Sequence, residues 1–344
     1  MVYLMPAKLL LFSLVLVACS PKAPPAASTP HIQRQGLSSE LITTGSVKER
    51  QSAQAADLAI FYTGEHQGSM ETCGCPKRPR GSLPRMANYM ATHAATHPAT
   101  ASLLVNGGWW LSDAMGADGS LRADATLMNS SLTAAFNDEI DMHGANISYL
   151  DLPGLQGQNI PEWAVSANIE TIDTNQSPIA SSRIVQVGDF RVGITGITKP
   201  DQSFVPSPAF EITDPVQAAT EALNSMREHS DVLVLLMYDA PEAAKSIAAQ
   251  VPDLDVIIDT RQNRQHSPPI RIGETLWVKS HYQTMRLGEL RLNVDPDNNT
   301  VALVVDRKID MDPAIGDDSS LKKRMKAART EIDVLQSELF GLTE

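Results

Sequence analysis

Residues 214–259 read DPVQAATEALNSMREHSDVLVLLMYDAPEAAKSIAAQVPDLDVIID, and this run decides the fold class. Asp214 is placed to cap a helix that continues to about His229. Val232–Met237 (VLVLLM) is short and apolar at every position, the pattern of a strand buried on both faces. Pro241 opens a second helix, to Val251, at a first-turn position where its missing N–H leaves no bond unmade. Asp255–Ile258 (DVII) is another buried strand. Buried strands alternating with helices define a layered α/β core.

The same grammar extends upstream. Asp57–Thr63 (DLAIFYT), Ala101–Asn106 (ASLLVN) and Ala164–Ile169 (AVSANI) are short buried strands, and Leu83–His97 and Asp124–Asn137 have helical spacing. Arg183–Val187 and Phe190–Ile194 alternate around Gly188-Asp189, a two-residue hairpin turn. Downstream, Leu276–Ser280, Met285–Val294 and Val301–Ile309 alternate as antiparallel strands, so the sheet is mixed. Leu321, Met325, Ala328, Ile332, Leu335 and Leu339 then form a narrow helical seam, with Ser319 or Ser320 as N-cap and Gly341 as terminator. A helix docked on its own domain is expected; the seam is short for a free coiled-coil dimer.

The amino terminus points to export. Lys8 precedes an apolar run, Leu9–Val17, too short to span a bilayer. It ends in LVAC, which resembles a bacterial lipobox, with Cys19 as the lipidated residue. Ser20 beside it resembles outer-membrane sorting, which places the chain in the cell envelope facing the periplasm. The expected organisation is a signal peptide over 1–18, a flexible Pro/Ala/Ser-rich tether over 19–55, a folded domain over 56–312 and a carboxy-terminal amphipathic helix over 318–341. The formal net charge of −12 argues against a nucleic-acid polymer as partner.

Between the first strand and first helix lies FYTGEHQGSMETCGCPKRPRG, residues 61–81. Apart from Cys19, Cys73 and Cys75 are the only cysteines. They are too few for a disulfide framework. Three readings stay open: a structural pair, a soft-metal site completed by Met70 or His66 (or, for zinc, Glu65 and Glu71), and a strained, reducible disulfide. Lys77, Arg78 and Arg80 form a basic cluster suited to an anion. Trp109 and Trp110 are placed to roof a pocket or to fill a core. His93, His97, His229 and His281, with His31 and His266, find no partners in the sequence, and most are expected at the surface.

The order of segments resembles the 5′-nucleotidase-like (calcineurin-like) metallophosphoesterases. AIFYTGEHQG resembles their first strand and T-N-D-x-H-G loop; LLVNGGWWLSD resembles the L-L-D-A-G-D-T strand. DEIDMHGANISYLD resembles D-A-x-x-x-G-N-H-E-F-D, and PEWAVSANI and RVGITGIT resemble F-P-x-L-x-A-N and V-G-V-I-G-I-T. Residues 214–259 resemble the family's run toward D-V-I-I-G-G-H-S-H, and VKSHYQTMRLGELRLNVD its V-Q-A-G-x-x-G-x-x-L-G-x-L-x-L pair. SMETCGCPKRPRGSLPRM resembles the C-x-C variant of some exported relatives. The resemblance implies a four-layer α/β/β/α sandwich of two mixed sheets, with a dimetal phosphoesterase site at the strand ends.

Carried over residue by residue, the implied ligands are mostly replaced. Metal-binding Asp and His fall on Glu65 and Gln67, the bridging Asp on Trp109, and the histidine beside the Asn on Ile147. The His of the S-H strand end falls on Tyr238, and the two of G-H-S-H on Arg261 and Asn263; Asn146 alone is kept. His66, His143, Asp113, Asp151, Asp239 and Asp259 are nearby substitutes if the register slips. The expectation is a lipid-anchored protein with a degenerate phosphoesterase domain that binds an envelope protein or a small phosphorylated ligand without catalysis. A phosphohydrolase with a rebuilt metal site is the alternative, and a metal or redox protein centred on Cys73 and Cys75 the second. No cofactor is assigned beyond a metal at that pair.

Overall fold

The computed structural model describes residues 55–113, 122–201, 207–261 and 269–341; the expected signal peptide, nearly all of the tether, Cys19 and Asn263 lie outside them. Sheet one has the order β14 (Thr300–Asp310), β13 (Arg286–Asp295), β1 (Leu58–Thr63), β2 (Ala101–Asn106), β3 (Met142–Asn146), β4 (Ala164–Val165). Sheet two has the order β11 (Ile270–Ile272), β12 (Thr275–Lys279), β10 (Val256–Asp259), β9 (Val232–Tyr238), β7 (Phe190–Thr198), β6 (Ser182–Val187). Strands β5 (Ile169–Thr171) and β8 (Phe210–Ile212) pair separately. Both large sheets are mixed: β1 runs parallel to β2 and antiparallel to β13, and β10 is parallel to β9 while β11 is antiparallel to β12.

Alternation along the strands builds the layers. Leu58, Ile60 and Tyr62 of β1 share one core with Val232, Val234 and Leu236 of β9, between the sheets. Ala59 and Phe61 face the other way, into a core with Leu83 of α1 (Leu83–Thr96), Leu132 of α2 (Ala123–Ala135) and Leu321 of α6 (Ser319–Leu339). Leu233, Leu235 and Met237 pack with Leu223 of α4 (Pro215–Met226) and Ile247 of α5 (Pro241–Gln250). A one-turn helix, α3 (Leu152–Leu155), follows β3. The result is the expected four-layer α/β/β/α sandwich with a carboxy-terminal helix.

Local chemistry sets the element ends, with a few differences from expectation. Asp214 caps α4 through Gln217 N at 2.8 Å, as its position requires. The cap of α6 is Asp318, whose carboxylate takes Leu321 N at 2.7 Å, and not Ser319 or Ser320. Helix α2 stops at Ala135 and passes into a wider turn, Phe136–Ile140, closed by Asp141 in the left-handed region at φ 55°. Strand β7 runs past Ile194 to Thr198 because Val232–Tyr238 pairs with it along its whole length. Leu321, Met325 and Ile332 of α6 are buried against the domain's own core. Among the described residues no helix is long and apolar enough to cross a membrane.

Candidate functional site

The carboxyl ends of the central strands meet between the two sheets. Continuing the alternation, Gly64, Gly107 and Asn146 from sheet one face Gly196, Tyr238 and Thr260 from sheet two. Contact here is very close. A Cβ on Gly107 would lie 1.8 Å from Thr260 Oγ1, and one on Gly64 would lie 2.3 Å from Thr260 Cγ2. Thr260 is thus wedged between the ends of β1 and β2, and only glycine leaves it room. Ser280 Oγ donates to its hydroxyl at 3.2 Å.

Asn146 lies in this layer with its amide orientation fixed by its partners. Nδ2 donates to Gly107 O at 3.1 Å and to Ile197 O at 2.8 Å, tying β2 to β7 across the sandwich. That leaves Oδ1 buried without a hydrogen-bond partner. The oxygen lies against Gly196, where a Cβ would come within 2.3 Å of it.

The loops after β1 and β2 are joined by backbone bonds. Glu65 N donates to Gly108 O at 2.9 Å, Gln67 N to Trp109 O at 3.0 Å and Gly68 N to Trp110 O at 3.3 Å. Glu65, Gln67 and Trp109 hold left-handed φ values of 44°, 54° and 52°, a strain that these bonds offset. A buried carboxylate fixes the second loop. Asp151 accepts from Trp109 N at 2.9 Å, Leu111 N at 2.8 Å, Ser148 N at 2.9 Å and Ser148 Oγ at 2.7 Å. Asp151 is therefore a loop anchor, not a substitute metal ligand. That role was not read from the sequence; its one signal is the spacing of three from Ser148, the reach-back of an acid to an earlier backbone N–H seen in a capping box.

Two positions on which the sequence resemblance places metal ligands, Glu65 and Tyr238, lie in contact. Tyr238 Oη donates to Glu65 Oε1 at 3.3 Å, and burial followed by the Glu65 charge raises the phenol well above its ordinary value. Tyr149 lies edge-on to Tyr238 at 6.0 Å and donates to Asp201 Oδ2 at 2.9 Å. Arg261 sits over the Tyr149 ring at 5.9 Å and donates through Nη1 to Lys199 O at 2.8 Å. Lys199 itself is exposed. Arg261 thus covers a layer of buried polar groups, Tyr149, Tyr238 and Glu65, at the strand ends. Lys199, Tyr149 and Asp201 were not singled out from sequence; their only signal was position just past strand ends.

The remaining candidates scatter. His66 points into the outer core, its Nε2 2.7 Å from Thr63 Oγ1 and its ring 5.3 Å from Phe136; burial lowers its pKa to about 3. Asp259 lies 3.4 Å from Lys279 Nζ on the helix side of sheet two. Asp239 accepts from Ala240 N at 2.5 Å, and its carboxyl is raised by burial. Asp113 is exposed, and His143 sits beside Asp141 at 3.9 Å. Trp109 is half-buried, whereas Trp110 is a core residue packed on Trp163 at 4.8 Å and roofs nothing. Among the histidines of the described residues, only His229 is exposed; His97 and His281 are half-buried and His93 is in the interior, while His31 and His266 lie outside the described residues.

The cysteine loop closes without a disulfide. Cys73 N donates to Arg80 O at 2.7 Å and Arg80 N donates back to Cys73 Sγ at 3.2 Å, beneath a bridge between Thr72 and Gly81. Both thiols are free, with Cys73 half-buried and Cys75 exposed. Arg85 fastens the loop, donating to Pro79 O at 2.8 Å and Met311 O at 3.0 Å. Met70 is buried in the core. Neither Met70 nor His66 therefore completes a soft-metal shell with the cysteines. Of the basic cluster, Arg80 is paired with Asp310 at 3.0 Å, and Lys77 and Arg78 are exposed.

Known proteins share this architecture. The sulfate thiohydrolase SoxB of Thermus thermophilus matches with a TM-score of 0.62 at 13% identity, over 81% of this chain and 61% of its own. The NAD nucleotidase NadN of Haemophilus influenzae gives 0.64 at 13% identity, over 81% and 61%. The calcineurin-like phosphoesterase YfkN from Bacillus subtilis gives 0.57 at 15% identity, over 82% and 100%. The chain spans about three fifths of the length of the first two. Neither a protein-family model nor a curated protein matches the sequence. The fold is of the 5′-nucleotidase and calcineurin-like phosphoesterase type; a fold shared at such identities does not carry an activity with it.

A dimetal centre needs carboxylates, imidazoles and an amide oxygen converging on one point. Among the described residues no three His, Cys, Asp or Glu side chains come together in that way. The Asn146 oxygen is turned to Gly196, and the Tyr238 hydroxyl is held by Glu65. These residues do not fit the dimetal group that the sequence resemblance implied.

Proposed function

We propose that this chain is a lipid-anchored protein of the bacterial cell envelope whose phosphoesterase-type domain binds a ligand and does not hydrolyse it. The observation that carries the reading is the Asn146 carboxamide. It gives both N–H groups to carbonyls of opposite sheets and so serves as a cross-tie. The one retained ligand residue thus has a structural task. The ligand class is a small phosphorylated molecule, met by the cations Lys199 and Arg261 at the strand ends.

Protein purified without chelator is assayed for bound metal and for phosphate-ester hydrolysis with added manganese. Nucleoside monophosphate binding is measured alongside by calorimetry. Binding without turnover, weakened in Lys199→Ala/Arg261→Ala, is the expected result. Metal-dependent turnover abolished by Asn146→Ala would sink the reading in favour of a rebuilt phosphohydrolase.

A thiol function is a second reading, favoured by the exposure of Cys75 beside the half-buried Cys73. Thiol titration of the chain against Cys73→Ser/Cys75→Ser, with metal analysis, decides it. A pair that holds no metal and forms no reducible bond is structural.

A further inference from the structure

The two thiols of the cysteine loop stand in unequal surroundings. Cys75 is exposed, as are Gly74, Pro76, Lys77 and Arg78 around it. Cys73 is half-buried, and its Sγ accepts from Arg80 N at 3.2 Å and donates to Arg78 O at 3.7 Å. The bridge between Thr72 and Gly81 closes the loop beneath it. The outer sulfur is therefore open to another molecule, and the inner one is shielded and held by backbone groups. A Cβ on Gly74 would meet nothing within 4 Å, so there is room over the pair for an incoming chain.

This asymmetry matches what thiol–disulfide exchange needs: one accessible nucleophile and one shielded second thiol. A metal shell is the poorer match, since Met70 and His66 are turned into the core and leave the sulfurs without further donors. A disulfide closed over the single residue Gly74 is a tight ring, and strained, exposed disulfides are the labile ones. Along the same loop a cavity of about 240 Å³ opens between residues 67–72 and α6, with apolar surface from Met128 and Met325. Its lining reaches Thr72, next to Cys73, so a polypeptide whose cysteine meets Cys75 finds a place for a neighbouring apolar side chain.

Resting on the thiol reading above, we infer that the pair reshuffles disulfides in cysteine-containing polypeptides, with Cys75 as the nucleophile and Cys73 as the escape thiol. Cys75 Sγ, as thiolate, attacks one sulfur of a substrate disulfide. The substrate S–S bond breaks, a mixed disulfide with Cys75 forms, and the other substrate sulfur leaves as a thiolate. A further substrate thiolate then attacks the substrate sulfur of the mixed disulfide, which makes the new substrate disulfide and returns the Cys75 thiolate. No electrons are gained or lost overall. Where no substrate thiol is in place, Cys73 attacks Cys75 Sγ instead. The substrate then leaves reduced by two electrons, and the pair is left as the tight disulfide, which a small thiol reopens while being oxidised in turn. The Arg80 N–H meets the charge that Cys73 Sγ carries as it attacks.

The test uses the full chain with Cys19→Ser, in which Cys73 and Cys75 are the only cysteines. Scrambled ribonuclease A in a glutathione buffer is the probe, and recovery of its activity is followed. Faster recovery than in the buffer alone is expected. Cys75→Ser is expected to lose that acceleration. Cys73→Ser is expected to keep part of it and to accumulate a mixed disulfide with the probe on non-reducing gels. With oxidised glutathione alone, mass spectrometry should find a stable adduct on Cys73→Ser and the internal disulfide when both cysteines are present. Circular dichroism checks that each variant is folded. Recovery no faster than in the buffer overturns the inference, as does acceleration kept in Cys75→Ser. A pair that titrates as reducible but does not speed recovery overturns the exchange and leaves the thiol reading standing. A pair that forms no reducible bond removes both.

Discussion

Asp151 and Glu289 are both fully buried carboxylates, and they are held in opposite ways. Asp151 stands at the strand-end face, and its partners are neutral: three backbone N–H groups and one hydroxyl. Burial pushes its carboxyl up to about 6, against the pull of those donors. Glu289 lies under α1 on sheet one, where Arg291 Nε reaches it at 2.6 Å, Arg307 Nε at 2.9 Å and Tyr89 Oη at 2.7 Å. Burial raises it too, but Tyr89, Arg307 and Arg291 outweigh that and hold it below the usual carboxylate range. The first carboxylate shapes a loop; the second compensates interior charge. A buried acid near a strand end is therefore not by itself a catalytic signature, since its partners decide its role.

The largest effect is expected at the compensated site. Glu289→Ala leaves Arg291, which is 0% exposed, without its counter-charge. A stability loss of about 3–5 kcal/mol is expected in urea unfolding, and a smaller one for Glu289→Gln, which still accepts hydrogen bonds. A loss below about 1 kcal/mol for the alanine variant would break the contrast.

Next comes the pH dependence of the neutral-partner site. An unfolded Asp titrates near 3.9, and Asp151 is raised to about 6 in the fold. Between those values the folded chain holds the extra proton. The stability this group contributes is full below about pH 4 and is lost as pH rises through 6, on the order of 2–3 kcal/mol. His66 runs the other way: lowered to about 3, it is neutral in the fold, so its contribution is full above about pH 6.5 and lost on acidification. Stability of the wild type relative to Asp151→Asn should therefore grow from pH 6 to pH 4, while relative to His66→Phe it should shrink. The reverse slope for Asp151 would show that its donors outweigh its burial.

Much of this arrangement was legible in the sequence, and the misses have physical reasons. Strands β1, β9 and β10 could be read because each is a continuous apolar run, and period two then assigns every side chain to a layer. Thr260 was not singled out, although the same count reaches it: two past Ile258, it enters the inter-sheet layer. His93 was missed although it continues the Leu83, Met86, Met90 stripe of α1. A histidine reads as polar until a buried Glu289, 3.8 Å away and far off in sequence, explains it. The Asp151 clamp was missed because its partners are backbone groups, which no residue type announces. The Asn146 orientation was hidden for the same reason.

Asn146→Ala sharpens the contrast at an uncharged position. Gly107 O and Ile197 O lose a donor, but the unpartnered Oδ1 is removed as well. A loss of about 1–2 kcal/mol is expected by denaturant titration, less than at Glu289. If the loss is larger, the cross-tie between sheets holds more of the fold than a neutral amide should.

The smallest effects belong to the cysteine loop, which lies outside both buried networks. Cys75 is exposed, so Cys75→Ser should stay within about 0.5 kcal/mol of the wild type. Cys73→Ser shortens an acceptor that holds Arg80 N at 3.2 Å, and a loss of up to about 1 kcal/mol is expected. Reaction with an aromatic disulfide reagent should be fast at Cys75 and slower at Cys73, which is half-buried. The order matters more than the sizes. If the pair served only to rigidify the loop, the inner sulfur would carry all of the effect, since it alone bonds the turn. An equal loss at both positions would instead mean that the sulfurs act as a unit, as a disulfide or a shared metal requires, and would move the functional question from the strand ends to this loop.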